Sequence, residues 1–121
     1  MSEQKILIVD DEEDIQIIVG TRLEIEGFST VQAKNLKEAW DVFEIHKATL
    51  SGILMDGNLN SKYTIELVQE IRKMGFQNPI IAFSGNEGTQ LKLMAAGCSH
   101  RIDGKGGDGD FVEKVKQYIN F

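Results

Sequence analysis

The sequence has little of several features that define whole classes of protein. Its single cysteine, Cys98, cannot form an internal disulfide, and no apolar run approaches the roughly 20 residues needed to cross a bilayer. The N-terminus MSEQKILIVDD lacks the basic start and the long apolar stretch of a secretory signal. We therefore expect a cytoplasmic protein with no membrane partner.

Positive charge is also scarce. Thirteen Lys and Arg residues stand against nineteen Asp and Glu residues, which gives a net charge of −6. No cluster of basic residues offsets this charge, and an acidic surface is repelled by a phosphate backbone. We therefore expect no direct binding to nucleic acid.

The length and composition predict one folded domain over residues 1–121. A chain of 121 residues can bury one core but has little length for a second. Its 41% apolar and 26% charged residues are interleaved, which is typical of a globular domain.

Short apolar runs alternate with longer amphipathic segments. Five runs predict β-strands: Lys5 to Val9, Phe28 to Gln32, Gly52 to Met55, Pro79 to Ser84, and Ser99 to Asp103. Runs such as ILIV and PIIAF are continuously apolar, which is typical of parallel strands covered on both faces. The single proline, Pro79, opens a strand, where its missing N–H does least harm.

Five segments between or after these strands have apolar residues at helical spacing. The predicted buried stripes are Ile15, Ile18, Val19 and Leu23; Leu36, Ala39, Trp40 and Phe43; Leu67, Val68 and Ile71; Leu91, Met94 and Ala95; and Phe111, Val112, Val115 and Ile119. Gly27, Gly75 and Gly97 stand where three of these helices should end. The pattern predicts an α/β fold of the (βα)5 type, with helices on both faces of a doubly wound, parallel five-stranded sheet.

Polar residues follow four of the five predicted strands. Asp10 and Asp11 follow the first, Asp56 the third, Ser84 ends the fourth, and Lys105 lies beyond the fifth. The carboxyl ends of parallel strands meet at one edge of the sheet, where ligands bind. Clustered carboxylates suit Mg²⁺, and a hydroxyl and an ammonium complete a cradle for a phosphoryl group with an aspartate as nucleophile.

Each residue also has an ordinary structural explanation. Asp10 and Asp11 belong to the acidic run DDEED, which would favour the start of a helix, and Asp56 with Gly57 forms a common turn sequence. Ser84 and Lys105 suit ordinary loops. Their joint position at the strand ends favours one shared site.

The sequence resembles a receiver domain of the two-component response regulators over nearly its whole length. The matching segments are KILIVDDEEDI, GILMDGNLN, PIIAFSGNE and AAGCSHRIDGK, and DGN is similar to the acceptor loop of single-domain chemotaxis regulators. The resemblance implies a flavodoxin-like fold and a phosphorylation switch that catalyses only its own phosphorylation and dephosphorylation.

The resemblance also implies a role for each site residue. Asp56 is the implied phospho-acceptor and a Mg²⁺ ligand, with Asp11 as a direct ligand and Asp10 acting mainly through water. Asn58 would offer its backbone carbonyl to the metal. Ser84 and Lys105 would each bind a phosphoryl oxygen.

The implied partners are a sensor histidine kinase or phosphotransfer protein and a downstream target protein, and the implied state is a monomer or weak dimer.

The sequence departs from the family near its end. The family's lysine stands at the position of Gly104 and precedes a proline, whereas here Lys105 comes one residue later and precedes Gly106. Arg101 or Ile102 replaces the aromatic residue of the fifth strand.

Four other interpretations remain open from the sequence. The chain could be a receiver-like module that works unphosphorylated, or the receiver part of a larger regulator. The residues from Gly104 to Gly109 match G-x-G-x-x-G, a dinucleotide-binding pattern, but the chain ends before the acidic residue that such a site needs. A phosphatase of the dehalogenase type would need an aspartate where Asn58 stands.

Overall fold

The computed structural model describes residues 4–59, 62–103 and 110–119. In chain order, its strands are β1 (Lys5–Val9), β2 (Ser29–Ala33), β3 (Leu50–Met55), β4 (Asn58–Leu59), β5 (Lys62–Tyr63), β6 (Ile80–Ser84) and β7 (His100–Asp103). Its helices are α1 (Glu13–Ile25), α2 (Leu36–His46), α3 (Ile65–Lys73), α4 (Glu87–Ala96) and α5 (Phe111–Ile119).

The five longer strands form one parallel sheet in the order β2-β1-β3-β6-β7. This order is that of the flavodoxin-like doubly wound sheet, whose switch point lies between β1 and β3. The predicted five-stranded (βα)5 fold is therefore confirmed. The sequence pattern did not predict the small antiparallel ribbon of β4 and β5.

Apolar side chains cover both faces of the sheet. In β1, Ile6 and Ile8 pack with residues of α1 and α5, whereas Leu7 and Val9 pack with residues of α2, α3 and α4. Successive side chains of a strand point to opposite faces, so a strand covered on both sides must be apolar throughout. This explains why ILIV and PIIAF do not alternate with polar residues.

Three glycines end helices as predicted. Gly27, Gly75 and Gly97 have φ values of 99°, 93° and 138°. This left-handed region is open to glycine at low cost because glycine has no Cβ.

Three predicted core positions are wrong. Ile18 and Leu91 are 48% and 57% exposed, and Ala95 is also exposed. In their helices Gln16 and Gln90 are buried instead. Both glutamine amides donate hydrogen bonds to backbone carbonyls at strand ends, which sets the rotation of α1 and α4 against the sheet.

Strand boundaries differ from the prediction by one or two residues. Phe28 precedes β2, because its N–H donates to the carbonyl of Leu23 at the end of α1. β3 begins at Leu50, two residues earlier than predicted.

Within the described ranges, no helix combines the length and apolar character required to cross a membrane.

Candidate functional site

Three carboxylates meet at the carboxyl edge of the sheet. Val9 and Met55 are paired in the sheet, so Asp10 and Asp56 leave adjacent strands at the same level. One carboxylate oxygen from each of Asp10, Asp11 and Asp56 lies within 4.8 Å of the others. Asp10 and Asp56 are buried, and Asp11 is partly exposed. The structure thus brings together the three aspartates that the sequence assigned to one site.

Backbone hydrogen bonds hold these aspartates in place. The N–H of Asp10 donates to the carbonyl of Ala33 over 3.1 Å, and that of Asp56 donates to the carbonyl of Val9 over 2.9 Å. The Oδ1 atom of Asp10 accepts from the N–H of Glu12 over 2.8 Å. The sheet therefore fixes the backbones of Asp10 and Asp56, and the chain entering α1 fixes the carboxylate of Asp10.

Gln16 ties α1 to the strand ends beneath the site. Its Nε2 atom lies 3.0 Å from each of three carbonyl oxygens, those of Ile8, Asp10 and Ala33. Since Ala33 ends β2 and Asp10 follows β1, one side chain joins the helix to two strands. Sequence reasoning missed this residue, because the neighbouring isoleucines gave the stronger signal for burial.

The three carboxylates fit a divalent cation with hard oxygen ligands. Mg²⁺ holds oxygens at about 2.0–2.1 Å and keeps several waters, so opposite ligands are about 4.2 Å apart. A spread of up to 4.8 Å is thus close to the spacing that this ion requires. All three side chains of this cluster are carboxylates, so it lacks the sulfur and imidazole ligands typical of structural zinc.

The predicted hydroxyl lies on the other side of the same edge. Ser84 ends β6, is 8% exposed, and pairs in the sheet with Asp103 of β7. Its Oγ atom accepts from the N–H of Asn86 over 3.2 Å, just before α4 begins. Asn58 is exposed and lies in β4, two residues beyond Asp56.

Lys105 and the whole G-x-G-x-x-G segment lie outside the described residues, so their assignments stay predictions. The strand before that segment, β7, is an edge strand of the main sheet. Dinucleotides bind where the strand order reverses, here between β1 and β3. The carboxyl end of β7 is therefore not where this fold would place a dinucleotide.

Thr64 also positions the loop that follows Asp56. Its side chain is fully buried, and its hydroxyl donates to the backbone carbonyl of Asp56 over 2.6 Å. Its N–H donates to the carbonyl of Gly57 over 3.2 Å. No sequence pattern indicates this role, because Thr64 lies eight residues from Asp56 and reaches it only once the β4–β5 ribbon has formed.

Helix α4 packs directly on the residue that follows Asp56. A Cβ atom added to Gly57 would lie 2.0 Å from Cγ2 of Thr89 and 3.4 Å from Leu93. The first turn of α4 thus occupies the space that a side chain would need. Further along α4, Nε2 of Gln90 donates to the carbonyl of Ile102 in β7 over 2.8 Å.

Cys98 takes no part in this chemistry. Burial raises the pKa of its thiol to about 12, so it is protonated at neutral pH. A protonated thiol is neither a good nucleophile nor a good metal ligand.

Comparison with known proteins agrees with this geometry. Residues 6–115 match the family model described as the response regulator receiver domain. The transcriptional regulatory protein YxdJ of Bacillus subtilis is 33% identical over 94% of this chain and 45% of its own length. The autoinducer 1 sensor kinase/phosphatase LuxN of Vibrio campbellii is 35% identical over 69% of this chain and 10% of its own length.

Solved structures show the same fold. The BeF3-activated N-terminal receiver domain of Klebsiella pneumoniae RstA has a TM-score of 0.84 at 17% identity, and the alignment covers 98% of this chain and all of that one. Chemotaxis protein CheY4 of Vibrio cholerae has a TM-score of 0.82 at 22% identity, covering 98% and 99% of the two chains.

The fold and the acidic edge define a receiver domain of a two-component system. The chain belongs to the response regulator receiver domain family. It spans less than half the length of YxdJ and a tenth of LuxN, so the activities of those whole proteins do not transfer to it.

Proposed function

We propose that this chain is a phosphorylation switch in which Asp56 accepts a phosphoryl group from a phosphohistidine. The observation that carries the proposal is the position of Asp56, buried at the end of β3 with carboxylate oxygens of Asp10 and Asp11 within 4.8 Å. One domain over residues 1–121 suffices for this reaction.

In the proposed reaction, an oxygen of the Asp56 carboxylate attacks phosphorus. The bond from phosphorus to the donor imidazole breaks, and its electron pair leaves with the imidazole. Asp10, Asp11, Asp56 and the backbone carbonyl of Asn58 would hold Mg²⁺, which when bound neutralises charge on the phosphoryl oxygens. Hydrolysis of the resulting acyl phosphate returns the carboxylate.

Two further groups complete the proposed site. The hydroxyl of Ser84, whose Oγ atom accepts from the N–H of Asn86, would donate to one phosphoryl oxygen. Lys105 would supply positive charge to another oxygen. A shift of Ser84 toward the phosphoryl group would move the chain that enters α4, because Asn86 is the N-cap of that helix.

The proposed phosphodonor is a sensor histidine kinase or a phosphotransfer protein, and the proposed output is contact with a downstream target protein. We propose that the chain works as a monomer or weak dimer. It acts as an enzyme only on its own phosphoryl group.

Acetyl phosphate provides a direct test. Incubating the protein with Mg²⁺ and acetyl phosphate should add one phosphoryl group, measured by intact mass, and Asp56→Asn should add none. The amide is nearly isosteric but is not a nucleophile. Asp103→Asn is a matched control on the same sheet edge and should still be phosphorylated. A wild type that stays unmodified would favour a module that works unphosphorylated, and a phosphate that persists in Asp56→Asn would overturn the assignment.

Metal binding has a separate readout in thermal stability. Mg²⁺ should raise the melting temperature of the wild type, because a ligand that binds only the folded state stabilises it. Asp11→Ala should abolish this rise, whereas Asp14→Asn, at an exposed position in α1, should keep it. An equal rise in Asp11→Ala would show that the metal binds elsewhere.

A further inference from the structure

A small groove lies between α2 and α3, apart from the acidic site. Its volume is about 150 Å³, and its lining combines aliphatic, aromatic and acidic side chains: Leu36, Trp40, Tyr63, Glu66, Leu67 and Glu70. Sites for drug-sized ligands have volumes of roughly 300–1,000 Å³. This groove has room for a single side chain.

The Trp40 ring and the backbone of Tyr63, on the two aromatic walls, are held in place before any ligand binds. Trp40 is half-buried and meets Phe43 edge to face, with ring centroids 6.4 Å apart and planes at 78°. Tyr63 is 59% exposed, and its backbone pairs with Asn58 in the β4–β5 ribbon. The next residue, Thr64, is fixed to the loop that follows Asp56 by its buried hydroxyl. A preorganised surface loses little conformational entropy on binding.

The acidic wall is unfavourable in the absence of a cation. Glu66 and Glu70 are four residues apart in α3, where like charges repel. Glu66 makes no ion pair with any side chain that the structure describes. Glu70 pairs with Lys73 over 3.3 Å, but both side chains are largely exposed, so this pair is weak and can exchange. Lys92 lies over the ring of Tyr63 but does not line the groove.

We propose that this groove binds an arginine side chain presented by a partner protein. A guanidinium is flat and stacks on aromatic faces, and its several donors match two carboxylates at once. A lysine ammonium is more strongly hydrated and offers no flat face. The net charge of −6 also favours approach of a basic segment. The proposal does not depend on phosphorylation of Asp56.

The chain offers its own probe for the test. Trp40 is the single tryptophan, so intrinsic fluorescence reports directly on the groove. Titration of the full chain at low salt with the capped peptide acetyl-Gly-Arg-Gly-amide should give a saturable change. The same peptide with citrulline, which is neutral and nearly isosteric, should give none. A flat titration, or an equal response to citrulline, would overturn the proposal.

Charge variants separate this groove from general attraction to an acidic protein. The double variant Glu66→Gln/Glu70→Gln should bind the arginine peptide about tenfold more weakly. Glu113→Gln removes one exposed carboxylate from α5, across the sheet, and should leave binding unchanged. Equal affinity of the double variant and the wild type would refute the site, as would a loss of similar size in Glu113→Gln.

Lys73 provides a variant with the opposite effect. It competes for Glu70, so Lys73→Met should tighten binding of the arginine peptide about twofold. Weaker binding by Lys73→Met would contradict the assigned role of Glu70.

Discussion

The two halves of the candidate site are built differently. In the acidic half, formed by Asp10, Asp11 and Asp56 beside α1, the buried amide of Gln16 donates to three strand-end carbonyls. The carboxylate of Asp10 is also fixed by the N–H of Glu12. This half is joined to both β1 and β2.

The hydroxyl half is formed by Ser84, Asn86 and Gln90, at and just before the start of α4. Its buried glutamine, Gln90, makes a single hydrogen bond to a strand carbonyl. Gln90 donates only to the carbonyl of Ile102 in the described part of the chain. The hydroxyl of Ser84 accepts from Asn86 and so follows the start of α4. The two halves touch where α4 packs on Gly57.

The difference corresponds to two distinct requirements of a switch. Groups that hold a metal and a developing charge work best when they are fixed in advance, because no reorganisation is then needed during the reaction. Elements that change conformation belong to the less stable parts of a fold. On the proposed function, the hydrogen bonds of Gln16 and Gln90 lead us to expect the first property in α1 and the second in α4.

The largest effect on stability is expected for Gln16→Ala. This change removes an amide whose two N–H groups are shared among three carbonyls and opens a small cavity, so we expect a loss of about 3 kcal/mol in the free energy of unfolding. Urea denaturation measures it. Gln69→Ala, at an exposed position of α3, is the matched control and should change stability by less than about 0.5 kcal/mol. A loss no larger than that of Gln90→Ala would remove the contrast between the two halves.

A second prediction concerns the boundary between the halves. In Gly57→Ala the new methyl group overlaps Cγ2 of Thr89, so α4 must shift, at a cost of about 2 kcal/mol. Thr89→Ser removes Cγ2 and leaves the Thr89 Cβ position 3.3 Å from the added methyl. The double variant Gly57→Ala/Thr89→Ser should therefore recover most of the loss. Additive losses in this double-mutant cycle would show that the two residues do not interact.

The sequence was sufficient to predict the sheet, its helices and the acidic cluster. Continuous apolar strands such as Lys5–Val9 indicate burial on both faces, and the parallel arrangement then brings Asp10 and Asp56 to one edge. Gly27, Gly75 and Gly97 marked helix ends because few other residues adopt a positive φ. These features follow from local rules that act within a few residues.

The sequence was insufficient where a polar side chain satisfies distant backbone groups. Gln16 and Gln90 are buried because of carbonyls in β1, β2 and β7, and no local pattern encodes those contacts. The prediction that Ile18 and Leu91 lie in the core is wrong for the same reason, because the periodicity of apolar residues alone does not fix how each helix is rotated against the sheet. The bond from Thr64 to Asp56 likewise requires the β4–β5 ribbon, which residue pattern did not predict.

The smallest effect on stability is expected for Gln90→Ala. Only one carbonyl, that of Ile102, loses its donor, so the free energy of unfolding should fall by about 1 kcal/mol. The change is local and should favour separation of α4 from β7. Cys98, which follows α4 and is buried, reports that separation.

Alkylation of Cys98 by iodoacetamide measures this local opening. Burial raises the pKa of the thiol from 9.0 to about 12 in the folded state, so at pH 8 the reactive thiolate forms almost only in open molecules. The neutral buried thiol favours folding below pH 9, and this contribution is lost as the pH rises toward about 12. We expect Gln90→Ala to react about fivefold faster than the wild type at pH 8.

Comparison with Gln16→Ala decides whether the opening is local. If α4 separates on its own, Gln90→Ala should accelerate alkylation more than Gln16→Ala does, although it loses less global stability. If Cys98 becomes accessible only through global unfolding, the rates will instead follow the free energies of unfolding and Gln16→Ala will react faster. The second outcome would mean that α4 is held as firmly as α1, and the switchable half would have to be sought elsewhere in the fold.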